Sequence, residues 1–159
     1  KVLNNNNKNF DIGYAKQVIK EVKEIGFRVR TSFIFDLPTT TKEDMQKTIN
    51  FILETEPDEI RGHFLALRLG TTIYNKLAKE KEIPTQYIHS DKPLIENEKY
   101  TNSEMLQDIE TLISKLKDKG YKIVKNVKEW KNLESLRNKE GKIKFLSFCP
   151  SKYGIDWEK

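Results

Sequence analysis

The run Phe33-Ile34-Phe35-Asp36-Leu37-Pro38-Thr39-Thr40-Thr41-Lys42-Glu43-Asp44 constrains this chain more than any other. An apolar strand stops at a Leu-Pro turn, and a helix begins directly behind threonines. Proline removes a backbone donor and holds the residue before it in an extended conformation, so neither a strand nor a helix runs through Leu37-Pro38. Thr40-x-x-Glu43 and Thr41-x-x-Asp44 both read as capping boxes, the first by the stricter pattern. The turn therefore lies at the carboxyl end of a strand, where α/β proteins place ligands.

The neighbouring segments repeat this grammar. Ala15, Val18, Ile19, Val22 and Ile25 recur at helical spacing and predict a helix over about Asp11 to Ile25, with Gly26 as a left-handed terminator. A strand is expected over about Arg28 to Phe35. The helix from Thr41 turns Met45, Ile49, Ile52 and Leu53 to one side and ends at Glu54 to Pro57. A second strand is expected over Asp58 to Arg68, with Phe64-Leu65-Ala66-Leu67 as its buried part. Gly70-Thr71-Thr72 turns into a short helix through Tyr74, Leu77 and Ala78. Helix and strand alternate as in a parallel sheet or barrel.

After Ile83-Pro84 the pattern breaks, and Gln86 to Tyr100 is polar and irregular. A further helix is expected over Asn102 to Lys119, on a stripe of Met105, Ile109, Leu112, Ile113 and Leu116, with Gly120 behind it. Tyr121 to Val124 and Ile143 to Phe148 are short strand candidates. The reading is two units: a strand-helix unit over 1–82 and an accessory α+β extension over 83–159.

Charge and cysteine narrow the function classes. The net charge is +5, but the lysines are interleaved with Glu and Asp along helices. That describes a solvated surface, so no nucleic-acid partner is expected. Tyr121, Trp130, Tyr153 and Trp157 lack the basic-aromatic clustering of a base-stacking platform and read as satellite packing. No stretch approaches the roughly 20 apolar residues of a membrane span. Cys149 is the single cysteine. It excludes an internal disulfide and a cysteine-ligated cluster made by this segment alone, and the expected compartment is the cytoplasm. A lone cysteine before proline reads as structural, with a redox thiol as the alternative.

Strand alternation sorts the candidate site residues. Val29, Thr31, Phe33 and Phe35 suit packing on helices, which turns Arg30, Ser32, Ile34 and Asp36 the other way. On the second strand alternation offers two faces, Arg61-His63-Leu65-Leu67 and Gly62-Phe64-Ala66-Arg68, and the first is the favoured inward set because substrate-hosting barrel interiors accept polar groups. Arg30 and Arg61 are fixed cations suited to a substrate carboxylate or phosphate; a salt bridge to Asp36 or Glu59 accounts for them equally. His63 suits a proton relay or a structural hydrogen bond. His89 lies in a polar loop and is expected to be exposed. Asp36 suits ribose or substrate hydroxyls, or caps the turn after it. Thr40 and Thr41 are expected to cap the helix, with an anion at its amino end as the alternative.

These pieces, taken in order, resemble the C-terminal half of a radical S-adenosylmethionine (radical SAM) barrel, closest to the group that often carries a cobalamin-binding domain. Leu3 with Asn7-Lys8, then Ile25-Gly26-Phe27-Arg28-Val29, match that group's approach to a strand. Phe33 to Thr41 is similar to its Phe-Ile-x-Gly-Leu-Pro-Gly-Glu-Thr, and Lys42-Glu43-Asp44, Thr48 and Phe51 continue it. Glu56-Pro57-Asp58 and Leu67-Arg68-Leu69-Gly70-Thr71-x-x-Tyr74 match its Pro-Asp and Pro-Gly-Thr-x-Leu-Tyr. The likeness covers residues 1 to about 80.

The resemblance implies a partial (β/α) TIM-like barrel. It implies that Ile34, Asp36, Leu37 and Pro38, with Phe64, Ala66 and Leu67, line the adenosyl part of S-adenosylmethionine. Arg30, Arg61 and His63 would face the substrate, a small molecule or a peptide. The parent protein would cleave S-adenosylmethionine reductively at a [4Fe–4S] cluster, and a 5′-deoxyadenosyl radical would take hydrogen from the substrate. Cobalamin, if present, would add methyl transfer. No catalytic residue or metal ligand is assigned to this segment. Asp36 stands where the family has glycine, and Thr39-Thr40 where it has Gly-Glu, which puts a standard cofactor contact at that turn in doubt. The three-cysteine motif is absent from the chain, and the resemblance places it upstream of Lys1. Two explanations follow: a fragment needing the N-terminal half of the same barrel as partner, favoured by the start without Met, or a degenerate relative. The rival from another class is a cluster-lacking α/β module that binds a protein or nucleic acid.

Overall fold

A computed structural model describes residues 11–80, 93, 99–125, 127–140 and 143–148. The expectations for Leu3, Asn7, Lys8, His89, Cys149, Tyr153 and Trp157, and most of those for 81–98, lie outside the described residues. Within them the chain is mixed α/β, with five helices and four strands.

Helix α1 (Ile12–Glu24) begins where the Asp11 carboxylate accepts the Tyr14 N–H at 3.0 Å. It ends at Gly26, whose φ of 90° lets the Phe27 N–H reach back to the Val22 carbonyl at 3.1 Å. Ala15, Val18, Ile19 and Val22 are half-buried. Ile25, expected on the same stripe, is exposed because it stands past the last full turn.

Strand β1 (Arg30–Ile34) leads through the Leu-Pro turn into α2 (Lys42–Thr55). The box that forms is Thr41 with Asp44: the Asp44 N–H donates to Thr41 Oγ1, and the Thr41 N–H donates to Asp44 Oδ2, both at 3.2 Å. The stricter match, Thr40 with Glu43, is not the cap. The Thr40 N–H instead donates to the Leu37 carbonyl at 2.8 Å and closes the turn. Met45, Ile49 and Ile52 are buried as their spacing predicts.

Strand β2 (Glu59–His63) is shorter than its apolar run, because the chain leaves the ladder after His63. Phe64, Leu65 and Leu67 are buried nonetheless. Helix α3 (Thr72–Glu80) follows, then α4 (Asn102–Asp118), which Thr101 and Glu104 cap reciprocally. Strand β3 (Lys122–Val124), helix α5 (Val127–Glu140) and strand β4 (Phe145–Phe148) complete the described chain. The sequence reading gave no helix to 127–140; its apolar positions are few, and Trp130, Leu133 and Leu136 carry it.

All pairings are parallel and the strand order is β1-β2-β4-β3. Successive strands are neighbours in a closed (β/α) barrel; here β4 lies between β2 and β3. The sheet also crosses the division at residue 82, taking two strands from each side. Right-handed crossovers explain the layering. The step from β1 to β2 and the step from β3 to β4 run in opposite directions, so α2 and α5 fall on opposite faces. Ile60, Leu146 and Phe148 pack with Met45, Ile49, Met105, Ile109 and Leu112 on one face. Val124 and Phe145 pack with Leu133 and Trp130 on the other.

The central strand needs its glycine. Gly62 stands in register between Phe33 and Phe148. A Cβ built there would lie 2.7 Å from the Phe148 ring and 2.8 Å from that of Phe35. Phe148 also stacks on Phe64, with centroids 6.4 Å apart. At the amino end of β2, Glu56 holds several elements together. Its carboxylate accepts from Lys119 at the end of α4 and, at 2.9 Å, from Lys144 before β4. Its carbonyl accepts from Lys23 of α1 at 2.7 Å. The Lys119 and Lys144 hydrogen bonds hold the Glu56 carboxyl down from 4.5 to about 2.

Two outcomes follow for stability. Gly62→Ala overpacks two aromatic rings and should destabilise the fold by about 1–3 kcal/mol in denaturant unfolding. The ionised Glu56 contributes stability in full above its ordinary value of 4.5 and loses it as pH falls towards about 2. Glu56→Gln should therefore flatten the fall in stability across that window, measured by melting temperature against pH.

Candidate functional site

The carboxyl ends of β1 and β2 are tied side by side. The Phe35 N–H donates to the His63 carbonyl at 3.0 Å, the last rung of the ladder. Beyond it the Asp36 carboxylate accepts the Leu65 N–H, replacing the rung that would follow. Asp36 is 1% exposed, so its carboxylate joins two strand ends from inside the protein. Leu65, Leu67 and Tyr74 form a small core there, with Leu37, Ile73 and Leu77 packed against it.

Of the residues implied for an adenosyl pocket, three are interior: Asp36, Phe64 and Leu67. Ile34 is 48% exposed, and Leu37, Pro38 and Ala66 are half-buried. Leu37 packs on the small core of Leu65, Leu67 and Tyr74, while Phe64 belongs to the main core.

Register brings the polar candidates onto one face. Arg30 pairs with Glu59, Ser32 with Arg61, and Ile34 with His63. That face is opposite α2 and α4, so the two alternating sets, Arg30-Ser32-Ile34 and Arg61-His63, meet as expected. The two arginines have different neighbours. Arg30 Nε donates to Glu59 Oε2 at 2.6 Å, and Arg28 Nη2 lies 3.6 Å from Glu59 Oε1. Glu59 is 3% exposed, and two guanidiniums offset the cost of burying its charge. The salt-bridge reading thus accounts for Arg30, with Glu59 as its partner. Arg61 instead lies over the Trp130 ring, 5.5 Å from the centroid. His63 is half-buried at the next position on that face.

Three residues of this face were missed. Glu59 was weighed only as a possible partner, Trp130 as a base-stacking ring or as satellite packing, and Ser147 was not considered. Ser147 had a signal: it is the single polar residue of Phe145-Leu146-Ser147-Phe148, a strand buried throughout. Trp130 does pack, edge-on to Phe145 at 5.6 Å, and it also presents its face to Arg61. Among the described residues no group of three or more His, Cys, Asp or Glu side chains could hold a metal ion. No described helix is long and apolar enough to cross a membrane.

Fold and site define an α/β protein with a small parallel sheet, helices on both faces, and one face on which β1 presents exposed Arg30, Ser32 and Ile34. No protein-family model, curated protein or solved structure matches this chain.

The strand-end tie is testable. Asp36→Ala leaves the Leu65 N–H without its acceptor and should cost about 1–3 kcal/mol in denaturant unfolding. Asp36→Asn keeps an acceptor oxygen and should cost less.

Proposed function

We propose that this chain forms the C-terminal wall of a radical SAM enzyme, with α1 to α3 as strand-helix units of its partial (β/α) barrel. The observation that carries the reading is the state of β1. Among the described residues it pairs on one edge only, with β2, and its second face bears exposed Ser32 and Ile34. Such a strand is suited to continue a parallel sheet contributed by an N-terminal half, with the polar face turned inward. Exposed Ile34 and half-buried Leu37, Pro38 and Ala66, near the carboxyl ends of the strands, are apolar and suit an adenine ring.

The described residues do not fit a [4Fe–4S] cluster, since no ligand group is present among them. The cluster is assigned to residues outside this chain. Bound there, S-adenosylmethionine would supply the radical chemistry, with methylation or another C–H functionalisation as outcome and cobalamin as an added cofactor for methyl transfer. This chain's own residues would bind and orient. Those apolar residues would hold the adenosyl group, Arg61 and His63 would face a small-molecule or peptide substrate, and β3, α5 and β4 would extend the wall beside β2. The expected compartment is the cytoplasm.

The test is anaerobic purification of the full-length gene product. It should contain iron, show the broad visible absorbance of an iron–sulfur cluster, and release 5′-deoxyadenosine from S-adenosylmethionine under reduction. A full-length product with no Cys-x-x-x-Cys-x-x-Cys motif and no iron would sink the enzyme reading. It would leave a cluster-lacking module that binds a protein or nucleic acid.

A further inference from the structure

The face of the sheet beneath α5 holds an arrangement that the fold does not use. Ser32, Arg61 and Ser147 stand in one row across β1, β2 and β4, and Val124 of β3 closes the row. Side chains of one row point the same way from strands about 4.8 Å apart. Ser147 is 1% exposed, and its Oγ has no hydrogen-bond partner. Arg61 Nε is buried and has none either. Among the described residues no carboxylate pairs with the Arg61 guanidinium, whose neighbour is the Trp130 ring. The acid closest along β2 on this face, Glu59, already holds Arg28 and Arg30.

A buried hydroxyl and a buried guanidinium Nε, on register-paired residues and both without a hydrogen-bond partner, are costly unless something fills them. A water could meet the hydrogen bonds but not the charge. We propose that Arg61 and Ser147 form a subsite for the carboxylate of a small molecule. The Nε and Nη edge of arginine offers two parallel donors that match a carboxylate, and the Ser147 hydroxyl adds a third. One guanidinium balances one negative charge, which favours a carboxylate over a phosphate dianion. Trp130 lies beside the guanidinium, with Arg61 Cζ 5.5 Å from the ring centroid. Entry is from the β1 side, where Ser32 and Ile34 are exposed, while α5 packs over β3 and β4. The subsite stands on the sheet alone. To the radical-enzyme reading it adds a substrate that bears a carboxylate.

The test uses the 159-residue chain carrying Trp157→Phe, which leaves Trp130 as the single indole. Acetate, benzoate and inorganic phosphate are titrated separately, with Trp130 emission and the Arg61 Nε–H resonance as readouts. Both carboxylates should give a saturable change at both probes, and phosphate should bind more weakly. Arg61→Gln should weaken carboxylate binding about tenfold or more, the loss expected for a charge-assisted bond. Ser147→Ala should weaken it about fivefold. Without ligand, Ser147→Ala should leave the melting temperature unchanged or raise it, because it removes an unpartnered buried hydroxyl. If Arg61→Gln does not fold, Ser147→Ala decides. No saturable response to either carboxylate overturns the proposal, as does an affinity untouched by Ser147→Ala or phosphate binding more tightly than both carboxylates. None of these outcomes depends on iron or on S-adenosylmethionine cleavage.

Discussion

The central position of β2 is the constraint on which the other elements depend. It is paired on both edges, to β1 and to β4, and carries the register between the two halves of the chain. Its residues must therefore serve two faces and two neighbours. Ile60 is fully buried against the helix layer formed by α2 and α4. Gly62 offers no side chain where the Phe35 and Phe148 rings converge, and those rings fill the space. A larger residue there would push apart the rows that hold β1 and β4 in line, since packed interiors have little free volume.

Charge is arranged around that strand in two ways. At its amino end the carboxylates are neutralised. Glu56 receives Lys119 and Lys144, and Glu59 receives Arg28 and Arg30. Each gathers cations from elements distant in sequence, so each closes the fold as well as balancing charge. The Tyr121 hydroxyl adds a bond to the Pro57 carbonyl at 2.7 Å, and burial pushes its proton loss well above the ordinary range. At the middle of the strand the balance changes. Arg61 has an aromatic face and no described carboxylate. The amino end of β2 is thus tied by ion pairs, and its middle is not, among the described residues.

Much of the local structure was legible in the order of residues. The stripe Met45, Ile49, Ile52 and the stripe Met105, Ile109, Leu112, Leu116 are the buried faces of their helices. Gly26 and Gly120 have the positive φ that ends a helix. Alternation put Arg61 and His63 on one face of their strand, and the register sets that face beside Arg30. What was not legible depended on competition. Two threonines offered a cap, and the turn took Thr40 for its own hydrogen bond, which left Thr41 to α2. The apolar run through Leu67 read as strand, yet Asp36 took the next N–H and ended the ladder. Helix α5 has too few apolar residues to announce itself, and its packing on Phe145 and Val124 supplies what its own pattern lacks.

The sequence by itself determined most of the elements and the buried stripes of α2 and α4, because those follow from spacings that span only a few residues. Only the tertiary structure decided that β4 enters between β2 and β3. That placement joined the C-terminal third to the strands before it and set Ser147 beside Arg61. It also decided which arginine found Glu59 and which did not. Such outcomes turn on which distant segments meet, and no local pattern records them.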